Sequence, residues 1–261
     1  MGRRLGQHFL HDPAILDRIV DALDPSFDDQ VIEIGPGKGT LTGRLAARVG
    51  SVVAIERDKW LAAKLQATAP QNCRIVLGDA LEIDWHAHLS QPAEETSYKV
   101  VGNIPYSITT PLIDKALAEP LPSVITFLVQ KEVGERLEAA PGSKTYGALS
   151  VGVQSVVSVE RLLSVRPGSF RPPPKVDSVL VRLKPLADPL TVSGERGPFR
   201  RFVTGLFGQR RKQLARALRT VTGKAPADVS RVPAELGLDR ETRAEVLTPG
   251  EFVDLFRLAS R

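Results

Sequence analysis

Residues 30–50, QVIEIGPGKGTLTGRLAARVG, decide the fold. A short apolar run leads into glycines at positions 35, 37 and 39, and apolar residues then recur at helical spacing until Gly50. This pattern is typical of a buried strand, a tight turn and an amphipathic helix. Glycine lets the backbone approach a ligand that a side chain would exclude. The segment therefore predicts a strand–turn–helix unit that binds a nucleotide-like cofactor.

The alternation of strand and helix continues along the chain. Short apolar runs bounded by turn residues predict strands within residues 51–56, 73–83, 98–106 and 123–130. Helical periodicity predicts helices at 12–23, 58–69, 110–119 and 131–140. Repeated βα units form a parallel sheet that is covered by helices. We therefore expect a mostly parallel, Rossmann-like α/β fold.

The pattern changes after residue 146. The segment 147–165 is rich in β-forming residues, and 168–185 combines a proline-fixed loop with another strand, which predicts antiparallel strands that close the sheet. Residues 187–198 are typical of a linker, and short helices are predicted at 198–209, 210–221, 228–237 and 248–260. We therefore predict an α/β domain at 1–186 and a small all-helical domain at 187–261.

The positive charge is concentrated near the carboxyl terminus. The chain has a formal net charge of +5, and residues 190–261 hold 14 Lys or Arg against 8 Asp or Glu. Residues 196–219 contain eight basic residues and no acidic one. A solvated helix face would explain such a run, but the lack of balancing acids favours nucleic acid as the partner. The candidate phosphate-binding residues are Arg210, Arg211, Lys212 and Arg216.

Composition excludes several classes of protein. Cys73 is the only cysteine, so neither an intramolecular disulfide nor a thiolate-ligated metal cluster can form. The four histidines lack the acidic and cysteine partners that a catalytic metal would need, and no metal site is predicted. No apolar run approaches the ~20 residues of a membrane span, and the first residues do not form a signal peptide. We expect a cytoplasmic protein.

Two carboxylates follow the glycine turn at the ends of predicted strands. The G-x-G-x-G spacing differs from the G-x-G-x-x-G of dinucleotide enzymes, and Glu56 ends the next strand, where a carboxylate can accept both hydroxyls of a ribose. Glu56 could instead form a surface ion pair with Arg57 or Lys59. Asp79 ends the third strand and could accept a hydrogen bond from the cofactor's adenine amine, or cap a helix.

The segment VGNIPYSITTP, residues 101–111, carries the most specific signal. The exocyclic nitrogen of adenine is a weak nucleophile because its lone pair is delocalised into the ring. The side-chain oxygen of Asn103 and the carbonyl of Ile104 could each accept an amine hydrogen, while Pro105 stiffens the loop. Tyr106 would stack on a base taken out of its helix. The alternative is an X-Pro turn with a core tyrosine.

Phe170 follows on a second proline-rich loop, within SFRPPPKVDS. From there its ring could cover the other face of the base. An ordinary core aromatic is an equal alternative.

Together these stretches resemble the bacterial small-subunit ribosomal RNA adenine dimethyltransferases. The similarity is carried by GQHFLHDPAILDRIV, VIEIGPGKGTLT, VVAIERD, GDAL, VVGNIPYSITTPLI, FRPPPKVDSVLVRL and LFGQRRKQLARAL, and it extends over nearly the whole chain. NIPY distinguishes this family from DNA adenine methyltransferases, which have an acidic or polar residue before Pro-Pro-Tyr.

The resemblance implies a class I methyltransferase with a seven-stranded sheet that uses S-adenosylmethionine. It further implies dimethylation of two adjacent adenosines near the 3′ end of 16S rRNA in the immature small subunit, by a monomer that also acts in subunit assembly. The family usually has GQNFL where this chain has GQHFL, so a neutral imidazole at position 8 takes the place of an amide. The implied cofactor-binding residues are His8, Leu10, Gly35, Gly37, Glu56, Asp79, Ala80 and Asn103.

Three alternatives remain. A related enzyme that modifies large-subunit RNA and confers macrolide resistance shares the fold and the NIPY-type loop. An assembly factor that binds the subunit and whose catalysis is dispensable would preserve the same surfaces. A nicotinamide-dependent oxidoreductase is disfavoured by the glycine spacing.

Overall fold

The computed structural model describes residues 7–92, 97–225, 231–239 and 241–260. The chain forms two compact units. The first contains the residues up to Gly134 together with Val159–Pro185, and the second contains Glu135–Ser158 together with the residues from Leu186 onward.

The first unit is built on a seven-stranded sheet. Its strands, with a short N-terminal pair, are β1 Phe9–Leu10, β2 Gln30–Ile34, β3 Ser51–Glu56, β4 Cys73–Leu77, β5 Tyr98–Asn103, β6 Val124–Gln130, β7 Val157–Val165, β8 Phe170–Arg171 and β9 Ser178–Pro185. The large sheet has the order β4-β3-β2-β5-β6-β9-β7, whereas β1 and β8 form a separate antiparallel pair. Strands β2 to β6 are parallel and β9 is antiparallel to β6, which confirms the predicted sheet.

The sheet order positions a binding crevice. The chain proceeds outward from β2 through β3 to β4, and it then returns to place β5 on the other side of β2. A reversal of this kind opens a crevice at the carboxyl ends of the two central strands, which is where open α/β sheets bind ligands. The loops that follow β2 and β5 therefore face each other across this crevice.

The helices follow the predicted periodicity in most places. They are α1 Pro13–Ala22, α2 Thr40–Ala46, α3 Lys59–Gln66, α4 Thr109–Ala116, α5 Lys131–Leu137, α6 Ala148–Gln154, α7 Ser193–Phe207, α8 Leu214–Thr222, α9 Val232–Glu235 and α10 Pro249–Ser260. The predicted start of α1 is confirmed, because Asp12 accepts hydrogen bonds from the backbone N–H groups of Ala14 and Ile15, and Pro13 occupies the first helical position. Residues 228–230 of the helix predicted at 228–237 lie outside the described residues.

The prediction of β structure throughout 147–165 was wrong in its first half. Residues Ala148–Gln154 form α6, and β7 begins only at Val157. The side chains of Leu149, Val151 and Val153 are buried, although their alternation is that of a strand. Tertiary packing against helices of the second unit overrides this local β preference.

The second unit includes residues that precede its predicted start. Its first long helix also begins before the predicted residue. Because α6 belongs to the second unit, residues 135–158 join the carboxyl-terminal helices instead of remaining within a domain at 1–186. The second half of the predicted linker at 187–198 is helical, since α7 begins at Ser193 and Glu195 accepts the N–H of Val192 at 3.2 Å. Pro198, at which the helix was predicted to begin, lies inside it instead.

Each unit has its own apolar core. In the first unit, α1, α2 and one face of the sheet bury Leu23, Leu45 and Val52 completely. In the second, α6, α7, α8 and α10 enclose Val151, Leu206 and Leu218. The two separate cores account for the division of the chain into two compact units.

Candidate active site

A cavity in the first unit lies at the crevice that the sheet order predicts. Its walls come from the N-terminal strand, the glycine turn after β2 and the loops after β3, β4 and β5. The lining comprises residues 7–10, 16, 19, 33–38, 40, 41, 55–57, 78–80 and 103–108. All eight predicted cofactor-binding residues and four of the five predicted catalytic residues line it.

The three glycines of the turn have positive φ angles, which side chains tolerate poorly. The values are +69° at Gly35, +58° at Gly37 and +79° at Gly39. A Cβ placed on Gly35 would meet no atom within 4 Å, so the backbone there is open to a ligand. A Cβ on Gly37 would lie 3.0 Å from the ring of Phe9, and one on Gly39 would lie 2.4 Å from Leu65. Gly35 exposes the turn to the cavity, and the other two allow it to pack.

Glu56 shapes the glycine turn. Its side chain is buried, and its two carboxylate oxygens accept hydrogen bonds from the backbone N–H groups of Gly37 at 2.9 Å and Asp58 at 2.8 Å. Each oxygen retains a second lone pair for a ligand hydroxyl. The alternative of a surface ion pair with Arg57 does not hold, because Arg57 is paired with Asp79 at 3.2 Å.

Asp79 acts as a cap, and it also lies where a cofactor could reach it. One carboxylate oxygen accepts the backbone N–H of Leu81 at 2.9 Å, which caps the following turn. The other faces Arg57, and the residue also lines the cavity. The adjacent Ala80 is buried and forms part of the cavity wall. Its carbonyl accepts a hydrogen bond from Trp85 Nε1 at 2.8 Å.

Asn103 is held in place by the N-terminal segment. Its side-chain Nδ2 donates a hydrogen bond to the backbone carbonyl of His8 at 2.8 Å. Because the amide nitrogen is used in this way, Oδ1 is the remaining polar atom, and no described residue donates a hydrogen bond to it in the contacts found. Asn103 and the buried Ile104 form the cavity wall opposite the glycine turn. The arrangement leaves an acceptor at the carboxyl end of β5.

The Tyr106 ring lines the cavity, and its hydroxyl is anchored away from it. The hydroxyl oxygen lies 2.8 Å from Oγ of Ser178, the first residue of β9. Burial raises the pKa of Tyr106 above its ordinary value, so the phenol stays neutral. Pro105, with φ of −57°, fixes the backbone immediately before the ring. One face of a rigidly held aromatic ring is therefore available to a planar ligand.

The Tyr106–Ser178 contact yields a stability prediction. Ser178 is 1% exposed, so a Tyr106→Phe variant would leave its buried hydroxyl without this partner and should lower the unfolding free energy by about 1–3 kcal/mol. Adding Ser178→Ala should recover part of that loss, because no polar group is then left unpaired. Urea denaturation of both single variants and the double variant measures the coupling. Purely additive losses would contradict the contact.

His8 is oriented by the second proline-rich loop. Its Nδ1 lies 2.7 Å from the carbonyl of Pro172, and its ring centroid lies 6.0 Å from that of Tyr106. A carbonyl only accepts hydrogen bonds, so Nδ1 carries a proton, and Nε2 is the ring nitrogen that remains for a ligand.

Phe170 is placed differently from the prediction. It is 2% exposed, belongs to the core beneath the sheet and does not line the cavity. Its backbone pairs with Leu10 in the β1–β8 ladder, which turns the ring inward. The core-aromatic alternative therefore describes its position, and base stacking in this arrangement rests on Tyr106.

Sequence reasoning did not assign a function to Glu33, at the end of β2. Burial raises its pKa from an ordinary 4.5 to about 7, and the charge on Glu56 acts in the same direction. One of its buried carboxylate oxygens, Oε2, has no hydrogen-bond partner although the residue lines the cavity. A buried carboxylate oxygen without a partner is costly unless a ligand supplies one. The acidic residue before the glycine turn was the available signal.

The basic residues of the second unit do not form one equivalent set. Arg210 is bound to Glu245 through Nε, and its other nitrogens donate to the carbonyls of Lys144 and Ser143 at 3.4 Å. This ion pair joins Arg210 to a neighbouring loop and offsets part of its charge, and its phosphate-binding role stays a prediction. Arg211 and Arg216 are exposed and Lys212 is half-buried, and no ion pair to these three is found among the described residues.

The described part of the chain has neither a metal-binding cluster nor a membrane-spanning helix. It contains no group of three His, Cys, Asp or Glu side chains arranged to hold a metal ion. None of its helices is both long and apolar enough to cross a bilayer.

Comparison with known proteins identifies the family. The sequence model described as ribosomal RNA adenine dimethylase matches residues 2–261. The chain belongs to this family. Two relatives named ribosomal RNA small subunit methyltransferase A support the assignment to the dimethylase family. The protein from Geobacter metallireducens is 42% identical, with 98% of this chain and 94% of the relative covered, and that from Syntrophotalea carbinolica is 43% identical, with 98% and 96% covered.

Solved structures agree with the dimethylase assignment. A dimethyladenosine transferase from Plasmodium falciparum has a TM-score of 0.79 and 28% identity, with 95% of this chain and 96% of that chain covered. The 23S rRNA methyltransferase ErmE has a TM-score of 0.71 and 26% identity, with 97% and 100% covered. The predicted class I methyltransferase fold is thereby confirmed.

Proposed function

We propose that this chain transfers methyl groups from S-adenosylmethionine to the N6 amines of two adjacent adenosines near the 3′ end of 16S rRNA, in the immature small ribosomal subunit. The observation that carries the proposal is Asn103, whose amide is fixed by the His8 carbonyl at the cavity that the glycine turn borders. Family membership and the names of the relatives support the same reaction.

The residues of the cavity fit the methyl donor. The open backbone at Gly35 admits a ligand closely, and Glu56 retains lone pairs for ribose hydroxyls. The unpartnered oxygen of Glu33 suits a cationic ligand that carries N–H donors. S-adenosylmethionine supplies an electrophilic methyl group on a positively charged sulfur. The acceptor side of the cavity then has to present a nucleophilic nitrogen.

The NIPY loop can present that nitrogen. Asn103 Oδ1 and the Ile104 carbonyl would each accept one N6 hydrogen, which draws the nitrogen toward a pyramidal geometry with its lone pair directed at the donor. Tyr106 would hold the extracted base by stacking, and Pro105 would fix the loop that carries both contacts. After each transfer the nitrogen loses one proton to solvent. The first methylated product retains one N6 hydrogen and can react again.

The two units would divide the work. The first would bind the methyl donor and the target base, and the second would hold the RNA through its basic residues. The competing large-subunit substrate is favoured by the likeness to ErmE. The small subunit is favoured more strongly, because the relatives that bear its name are 42–43% identical over nearly the whole chain, against 26% for ErmE.

The deciding experiment is methylation of isolated ribosomal subunits. The protein is incubated with S-adenosylmethionine carrying a labelled methyl group and with unmethylated small or large subunits, and the label is located in the RNA. Incorporation of up to four methyl groups at two neighbouring adenosines of the small subunit is expected. Labelling confined to large-subunit RNA would overturn the proposal.

Salt dependence tests the RNA-binding part of the proposal. Each protein cation that neutralises a phosphate contributes roughly 0.7 to 0.9 to the slope of log K against log salt. Replacing Arg211, Lys212 and Arg216 together by alanine should therefore reduce the magnitude of that slope by about 2 to 3. Filter binding of small-subunit RNA at several salt concentrations measures it.

A charge-matched control separates contact from net charge. Arg18, Lys64 and Arg74 are exposed residues of the first unit that have no ion pair in the contacts found among described residues. Their triple alanine variant loses the same charge and should leave the slope nearly unchanged. Equal slopes for both triple variants would show that the second unit makes no specific phosphate contacts.

A further inference from the structure

The wall of the cavity that follows β4 is held by side chains bonded to its backbone carbonyls. Trp85 Nε1 donates to the carbonyl of Ala80 at 2.8 Å. Lys115 Nζ donates to the carbonyl of Leu81 at 2.9 Å and also to that of Ile83. Such loop carbonyls otherwise bond to water, and a loop that relies on water is free to move. Here the stretch after Asp79 is tied to the protein at three points.

Lys115 brings the helix of the acceptor loop to this wall. It lies in the last turn of α4, which begins at Thr109, three residues after Tyr106. Leu112 and Ile113 of this helix are completely buried, so α4 is a rigid support. The lysine therefore links the loop that holds Asp79 to the element that continues from the NIPY segment.

The ammonium group of Lys115 is seated on an aromatic ring. Nζ lies 5.5 Å from the ring centroid of Trp85, which is 3% exposed. Burial lowers the pKa of Lys115, and the charges of Asp84 and Asp79 act in the opposite direction. Below the lysine, Ile83 packs onto Gly78, where a Cβ would lie 2.3 Å from the Ile83 side chain. Little room remains for the wall to adopt another path.

We propose that Lys115 is a positioning residue that sets the affinity for the adenosine part of the methyl donor by fixing the Asp79–Ala80 wall. This inference rests on the proposed function, in which Asp79 faces the adenine amine. Lys115 itself does not line the cavity, so it acts through the wall and not by contact. Its charge-assisted hydrogen bonds hold the wall in its binding position before a ligand arrives.

The test removes the ammonium group of Lys115, which is the hydrogen-bond donor, and keeps the apolar part of the side chain. A Lys115→Met variant preserves apolar contact with Trp85 and removes both hydrogen bonds. We expect its KM for S-adenosylmethionine to rise by about tenfold while kcat at saturating donor changes by less than about twofold. The dissociation constant of 5′-methylthioadenosine, which lacks the amino-acid part, should rise by the same factor, as measured by calorimetry.

Two further variants distinguish positioning from general stability. Lys115→Arg restores two N–H donors and should recover most of the affinity, whereas the exposed Lys64, changed to Met, should have no effect. If Lys115→Met does not fold, Trp85→Phe keeps an aromatic ring at the Lys115 contact, removes the bond to Ala80 and should weaken binding of the methyl donor in the same direction.

Unchanged donor affinity in the folded variants would overturn the inference, and so would a lower kcat with unchanged KM. A loss of S-adenosylmethionine affinity without a loss for 5′-methylthioadenosine would overturn it as well. If the unaltered chain binds neither ligand, the proposed function itself is contradicted.

Discussion

An Asn103→Ala variant is expected to methylate small-subunit RNA about a thousandfold more slowly than the unaltered chain. In the proposed mechanism the side chain supplies one of two acceptors for the N6 hydrogens, and removal of a single preorganised hydrogen-bonding group from an active site costs about 10²–10³ in rate. The substitution also removes the hydrogen bond from Asn103 Nδ2 to the carbonyl of His8. Single-turnover methylation with saturating donor and RNA measures the chemical step directly.

Two further measurements make the Asn103 result specific. RNA affinity should stay within about twofold, because the basic residues of the second unit are untouched. Asn103→Asp should also be slow, since its carboxylate would face the His8 carbonyl, an acceptor, where the amide now donates. Methylation by Asn103→Ala at the ordinary rate would exclude the catalytic role proposed for the NIPY loop.

Glu33 is expected to make the stability of the ligand-free protein depend on pH. Its pKa is raised from 4.5 to about 7 by burial, so the folded state binds a proton more tightly than the unfolded state does. Full stability is present below pH 4.5 and is lost as the pH rises through 7, which corresponds to about 3 kcal/mol of unfolding free energy. A Glu33→Gln variant should be more stable than the unaltered chain at pH 8, with the gain disappearing at pH 4.5.

Paired denaturation curves isolate the Glu33 contribution from those of other carboxylates. The difference in unfolding free energy between the variant and the unaltered chain is measured at each pH, so groups common to both cancel. The exposed Glu82, changed to Gln, provides the control and should give a flat difference. A cationic methyl donor should favour the ionised form, and Glu33→Gln should therefore bind S-adenosylmethionine less tightly at pH 8. A flat difference for Glu33→Gln would contradict the raised pKa.

The sequence predicted the parts of the molecule that follow from local pattern. The glycine turn, the parallel strands and the caps of α1 are determined by residues close together in the chain. Because parallel strands end at one edge, Glu56, Asp79 and Asn103 could be expected at the same cavity. The lining of that cavity by all eight predicted cofactor-binding residues reflects this rule.

The remaining features depend on contacts between distant residues. Phe170 is turned into the core by its pairing with Leu10, a partner 160 positions away. Arg210 is committed to Glu245, and no local rule connects those two positions. The helix at 148–154 forms because the core of the second unit buries it, although its apolar residues alternate like those of a strand. The hydrogen bond between Tyr106 and Ser178 could likewise not be predicted without knowing the order of the strands.

That anchor has a consequence for how such enzymes can diverge. The residues proposed to bind the methyl donor lie at β1 and at the carboxyl ends of β2 to β5, whereas the Tyr106 ring, proposed to stack on the base, is anchored to β9 through Ser178. We therefore expect mutations around β9 to alter the choice of nucleic-acid target while donor recognition is preserved. Related enzymes could then keep the same binding site for the methyl donor and differ in the base that they recognise.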